Sequence, residues 1–128
     1  MKLLLDTHVL LWAAAGQLRK KARDLIEAKA NRLFFSPASL WEIAIKRALK
    51  RDDFQVDAGL LYHGLLESGY EELPITGRHV LCIDTLPPIH KDPFDRVLIA
   101  QALAEELTLV TADVKLTAYP GAFIKIRP

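Results

Sequence analysis

Cysteine is almost missing from this chain: Cys82 is the only one. That excludes an intramolecular disulfide and a cysteine-based metal site, and it suits a reducing compartment. Histidine is sparse as well, and His8, His63, His79 and His90 show no ligand spacing. No apolar run approaches a membrane span. The start, LLLDTHVLLWAAAG, has the look of a signal peptide, but Asp6 and His8 break it and leave only Val9 to Ala15 uninterrupted, at the short limit for such a segment. The expectation is a cytoplasmic protein with no membrane segment. Internal repeats, low-complexity tracts and linkers are absent too. Net charge is nearly absent, with 17 Lys+Arg against 16 Asp+Glu, so bulk charge selects no partner.

What is present is an ordinary globular composition. In 128 residues, 51% are hydrophobic and 26% charged, which excludes disorder and fits one domain over 1–128 built on one core. The charge is unevenly spread. Residues 1–51 hold 11 Lys/Arg and 4 Asp/Glu, a net of +7; residues 52–128 hold 6 and 12, a net of −6. A basic half, and the run Arg19, Lys20, Lys21 and Arg23 in particular, can track a nucleic-acid backbone. Solvated basic helix faces produce the same count.

Short apolar runs alternate with helical spacing. KLLL (2–5) reads as a strand, followed by a short helix near 8–15 that Gly16 ends. An amphipathic basic helix is expected over 19–30, with Ala22, Leu25, Ile26 and Ala30 on one side. RLFF (32–35) is a second strand, and Ser36-Pro37 opens a helix over 37–50 as cap and first-turn proline. A helix over 57–68 stops at Gly69. EELPI (71–75) is a weak edge strand, and Thr76 caps a helix near 77–84. The segment 93–106 is apolar nearly all round and reads as a buried helix. LTLVT (107–111) and FIKI (123–126) are the last strands. Alternation of this kind argues a parallel α/β sheet covered on both faces, whose sites form beyond the carboxyl ends of the strands.

Acids stand at those ends. Asp6 follows the first strand, Asp113 lies two residues after LTLVT, Asp95 is in the first turn of the 93–106 helix, and Glu42 sits among Leu40, Trp41, Ile43, Ala44 and Ile45. Each also has a local explanation. Asp6 can cap the helix after it, Asp113 a turn at 114–117, Asp92 the helix opened by Pro93, and Glu42 can pair with Lys46 at i+4. Brought together, the four repel, at roughly 3 kcal/mol per pair for a separation of about 6 Å and an effective dielectric near 20. Lys46 and Arg96 are too few to neutralise them. Oxygen-only ligands select Mg²⁺ or Mn²⁺, ions that activate water and stabilise charge during phosphodiester cleavage.

LLLDTH at the start, SPASLWEIAIK at 36–46, HKDPFDRVLIAQALAE at 90–105 and LVTAD at 109–113 together resemble the PIN-domain ribonucleases, and most of all the VapC toxins of toxin–antitoxin pairs. The likeness runs in order along nearly the whole chain. It implies a three-layer PIN-like α/β fold with a parallel five-stranded sheet flanked by helices. It also implies Mg²⁺- or Mn²⁺-dependent cleavage of RNA by in-line attack of an activated water. The family's acidic quartet falls on Asp6, Glu42, Asp95 and Asp113, with Asp6 and Asp95 as first-choice metal ligands. Asp92 is a cap first and a water-mediated ligand second. Thr7 and Thr111 match small polar positions that orient carboxylates. Lys46 and Arg96 can pair with the acids or touch a phosphate. The resemblance further implies a homodimer and a VapB-like antitoxin that holds the toxin inactive.

The remaining salient residues read more plainly. For His8 a helix-end hydrogen bond is favoured over substrate contact. Trp12 and Trp41 are expected in the core or an interface rather than stacked on a base. Two other classes fit poorly. A receiver-type signalling domain needs an acid pair after the first strand, but Asp52-Asp53 follows a helix. A haloacid-dehalogenase-like phosphatase needs Asp-x-Asp, and position 8 is His. A PIN-like module that binds RNA or protein without cutting is the third alternative, and the complete quartet speaks against it. Transfer, ribosomal and messenger RNA all stay open as targets.

Overall fold

The computed structural model describes residues 1–127. Its five strands are β1 (Lys2–Leu5), β2 (Arg32–Phe35), β3 (Glu71–Glu72), β4 (Thr108–Thr111) and β5 (Ala122–Lys125). All neighbouring pairs are parallel, and the order is β3-β2-β1-β4-β5. The central strand shows why the runs are continuously apolar. Leu3 and Leu5 face one helical layer and Leu4 the other, and all three are fully buried. A period of two on a sheet covered on both faces demands this. Phe34 and Phe35 divide between the layers in the same way, as do Leu109 and Val110.

Six helices cover the sheet: α1 (Thr7–Ala14), α2 (Lys20–Glu27), α3 (Pro37–Ala48), α4 (Ala58–Glu67), α5 (Gly77–Ile83) and α6 (Pro93–Ala104). Val9, Leu10, Ala22, Ile43, Leu61 and Leu65 bring α1 to α4 into one core with Leu3 and Leu5. Leu98, Ile99, Ala100 and Ala102 of α6 pack the opposite core with Leu4, joined by Leu86, Leu116 and Tyr119. This is the three-layer α/β architecture anticipated from the sequence.

Several elements are shorter than their apolar pattern suggested. α2 ends at Glu27, because Ala28 takes an extended conformation and Asn31 Nδ2 donates to the Leu25 carbonyl. Ala30, expected on the packed side, is therefore exposed. β3 keeps two residues. One more bond runs from Leu73 N–H to the Phe35 carbonyl (2.9 Å) before Pro74, which has no N–H to give. α6 is buried only over Leu98–Ala102, while Phe94, Asp95, Arg96 and Val97 are half-buried. That exposed end faces the acids. A 3₁₀ turn at Asp52–Phe54 was not foreseen; it carries Phe54 fully into the core from a charged stretch.

Chain direction fixes where a site can form. From β1 the chain runs outward to β2 and β3, and later returns to the other side of β1 as β4 and β5. The carboxyl ends of β1 and β4 therefore flank the switch point of the sheet, where open α/β sheets hold their ligands. The Asp6 N–H continues the ladder to the Val110 carbonyl at 3.0 Å, so Asp6 is the first residue past that edge.

Candidate metal centre

Asp6 is fixed twice. Its Oδ1 caps α1 by accepting the Val9 N–H at 2.9 Å, and its Oδ2 accepts the Thr111 hydroxyl at 2.5 Å. The same Thr111 Oγ1 accepts the Asp113 N–H at 3.0 Å. One hydroxyl on β4 thus ties together the acids that follow β1 and β4. Asp113 in turn caps the 3₁₀ turn Val114–Ala118 through Lys115 N–H (2.9 Å). Thr7 lies just behind, donating to Ser39 Oγ of α3 at 2.9 Å, with both residues buried.

Glu42 comes from α3, which Ser36 caps through the Ala38 N–H. Only 3% of Glu42 is exposed. Its Oε2 accepts Lys46 Nζ at 2.5 Å, the i+4 pair legible in the sequence. Its Oε1 is buried and has no hydrogen-bond partner among the described residues. An orphaned carboxylate oxygen in a dry setting is costly. Lys46 itself lies 4.7 Å from the Phe54 ring centroid, so the unforeseen 3₁₀ turn seats the cation that serves Glu42.

Asp92 caps α6, accepting the N–H groups of Phe94 (2.9 Å) and Asp95 (3.1 Å) on its Oδ1. Asp95, one turn in, is held protonated up to about 8, chiefly by burial and then by the like charges of Asp92, Glu42, Asp6 and Asp113. Asp6, Glu42, Asp92 and Asp113 are thus near enough to Asp95 to repel its charge, and of the quartet Asp95 and Asp113 are the two that approach one another within ligand range, together with His90. Burial likewise raises Asp6, against the opposing hydrogen bonds from Thr111 and Val9.

Two residues depart from the sequence reading. Arg96 does not pair with an acid. Its guanidinium donates to the carbonyls of Ile83 (3.2 Å), Pro87 (3.1 Å) and His90 (3.4 Å) and to the Tyr119 hydroxyl (3.2 Å), which makes it an anchor for the α5–α6 loop. His90, passed over for want of ligand spacing, has its Nε2 3.1 Å from Asp95 Oδ2 and 3.7 Å from Asp113 Oδ2. The only sequence cue was its place five residues before Asp95, in a loop whose path no local pattern fixes. His8 pairs with Asp53 at 3.3 Å. Trp41 is 61% exposed and stands edge-on to Phe94, 5.1 Å between ring centres.

The donor set is carboxylate oxygen almost throughout. With an orphaned Glu42 oxygen and a proton retained on Asp95, it fits a hard divalent cation such as Mg²⁺ or Mn²⁺. One candidate ligand atom each from His90, Asp95 and Asp113 lie within 4.8 Å of one another.

An acid-lined switch point on a parallel five-stranded sheet defines the class of fold, and comparison with known proteins gives the family. The PIN domain family profile matches residues 3–122, so the chain belongs to the PIN domain family. No curated protein sequence matches. Among solved structures, VapBC2 of Rickettsia felis, bound to a DNA fragment from its promoter, matches with a TM-score of 0.76 at 18% identity, covering 98% of this chain and 99% of that one. A toxin–antitoxin complex from Klebsiella pneumoniae matches with a TM-score of 0.64 at 21% identity over 94% of both chains. VapC20 of Mycobacterium tuberculosis, a toxin that cleaves the sarcin-ricin loop, matches with a TM-score of 0.63 at 17% identity, covering 98% and 99%.

Proposed function

We propose that this PIN domain is a VapC-like endoribonuclease toxin that depends on Mg²⁺ or Mn²⁺. The observation that carries the reading is a buried Glu42 oxygen left unpaired beside an Asp95 that burial and the charges of Asp92, Glu42, Asp6 and Asp113 drive to keep a proton. A cation relieves both. Asp6 and Asp95 would hold it first, Glu42 would bind it or orient water, and Asp113 would ligate directly or through water. A bound Mg²⁺ or Mn²⁺ supplies an acidified water and neutralises charge on the phosphodiester. The chain supplies the rest. Thr111 keeps the Asp6 carboxylate turned into the pocket. Asp92 and the first turn of α6 hold Asp95 in place. Lys46 balances Glu42 and stands ready to meet a backbone phosphate. Water attacks the phosphorus in line, the phosphorus–oxygen ester bond breaks, and the departing oxygen takes up a proton.

The partners follow the neighbours' assemblies. A VapB-like antitoxin is the expected inhibitor. A groove of about 750 Å³, bordered by Leu11 of α1, Ile26 of α2, Leu33, Val56 and Leu61, offers it an apolar bed. A homodimer is expected through α3. Trp41, Ile45 and Leu49 recur there at i, i+4 and i+8, exposed by 61%, 38% and 70%.

The test is cleavage of RNA by purified protein with Mg²⁺ or Mn²⁺, and its arrest by EDTA. Asp6→Asn and Asp95→Asn are expected to abolish cleavage with the fold intact by circular dichroism. Full cleavage by both would sink the assignment and favour an RNA- or protein-binding module that does not cut. Mapping RNA ends after brief induction in cells then names the target.

A further inference from the structure

The α5–α6 loop is held far more tightly than a connection needs. Tyr119, 4% exposed, accepts the His90 N–H on its hydroxyl at 2.7 Å and donates back to the His90 carbonyl at 3.2 Å. Arg96 binds that same carbonyl, the Tyr119 hydroxyl, and the carbonyls of Ile83 and Pro87. All of this fixes the backbone of one residue whose imidazole then lies over two acids. The ring orientation is fixed as well. His90 Nδ1 accepts the Lys91 N–H at 3.1 Å, so in the neutral ring the proton sits on Nε2, the atom facing Asp95 and Asp113.

The geometry points to His90 as the positioning residue of the cation seat: its Nε2 stands 3.1 Å from Asp95 Oδ2 and 3.7 Å from Asp113 Oδ2 and keeps the two carboxylates gathered about one point. The inference rests on the metal-centre reading above. Ligands about 2.1 Å from an octahedral ion stand about 3.0 Å apart when adjacent and about 4.2 Å apart when opposite. The 4.8 Å envelope that encloses one ligand atom from each of His90, Asp95 and Asp113 brings the two carboxylates near that range before any ion arrives. Asp95 and Asp113 come from different elements, α6 and the turn after β4. His90 is the side chain that reaches both. Supporting polar contacts set the orientation of carboxylate ligands.

Mn²⁺ titrations followed by electron paramagnetic resonance, on the full chain, test the idea. His90→Leu is expected to weaken Mn²⁺ binding by about tenfold, and His90→Gln, whose amide N–H reaches the same point, to stay within about threefold of wild type. Melting temperatures in EDTA check that the fold survives. Tyr119→Phe loosens the loop without touching the imidazole and is expected to cost about threefold in the same titration. Wild-type affinity in both His90→Leu and Tyr119→Phe overturns the role. So does a Gln variant as weak as the Leu variant, which shows that the ring and not its donor matters. A directly coordinated nitrogen in the electron spin echo spectrum of the wild type overturns it too, by making His90 a ligand. No Mn²⁺ binding by the wild type removes the metal centre itself, a failure distinct from affinity that persists without His90.

Discussion

A carboxyl group that keeps its proton to about 8 makes the protein's stability depend on pH in a defined direction. Asp95 titrates near 3.8 in the unfolded chain and near 8 when folded. The folded state therefore binds the proton more tightly. The resulting stability is fully present below about pH 4 and is lost as pH rises through 8. Asp6 acts in the same direction. In EDTA, the melting temperature of the wild type is expected to fall from pH 5 to 8.5, and that of Asp95→Asn to fall less steeply. Parallel slopes would show that Asp95 does not retain its proton. A metal ion takes the proton's place, so apparent Mg²⁺ affinity is expected to weaken as pH drops below 8. Thr111 is a second lever at this scale. Thr111→Val keeps the branched shape buried in β4 but deletes the donor to Asp6 and the acceptor for Asp113 N–H. Mg²⁺ affinity is expected to drop, with Thr111→Ser restoring it; equal affinity in all three proteins would make Thr111 a packing residue only.

At the scale of elements, Asp92 separates structural from chemical work. It caps α6 with two hydrogen bonds, and Asp92→Ala is expected to cost about 1 kcal/mol of stability by urea unfolding. Asp92 also holds Asp95 in place and adds negative charge beside the pocket, so metal affinity is expected to fall modestly; a loss as large as that of Asp95→Asn would put Asp92 among the ligands. The elements carrying the acids were legible because their signals are local: continuous leucines for β1, Ser36-Pro37 for α3, and Asp92-Pro93 for α6. Their ends were less so. Helical spacing in α2 extends to Ala30, but Asn31 bonding back to Leu25 stops the helix earlier, and only the folded chain brings those groups together. Phe54 illustrates the same limit. Flanked by Asp52, Asp53 and Gln55, it carries no period, and its burial depends on α1 and α3 closing over it. His90 was illegible for a related reason. Its position depends on Arg96 and Tyr119, from α6 and from the end of the turn after β4, meeting at one loop.

At the scale of the molecule, the two charge halves do not become two faces of opposite sign. Within the basic half, Lys20 pairs with Asp24, Arg32 with Glu71, Arg47 with Asp57 and Arg51 with Asp53, all at the surface. Exposed pairs of this kind add little stability, but they screen the surplus, so the sequence count overstates any nucleic-acid face. The apolar surface is more telling. Trp41, Ile45 and Leu49 line the outer side of the helix that carries Glu42 and Lys46 on its inner side, and Trp41 touches the Phe94 ring next to Asp95. A second copy seated on that stripe, as proposed above, would bury Trp41 and would brace α3 against α6. Leu49→Asp lies at the far end of the stripe, away from the pocket, and is expected to convert a dimer to a monomer by light scattering. If α3 is braced by its partner, the monomer also binds Mn²⁺ more weakly and melts lower, and both losses shrink as wild-type protein is concentrated. A wild type that is monomeric at every concentration, or a Leu49→Asp variant that remains dimeric, would take the interface away from α3.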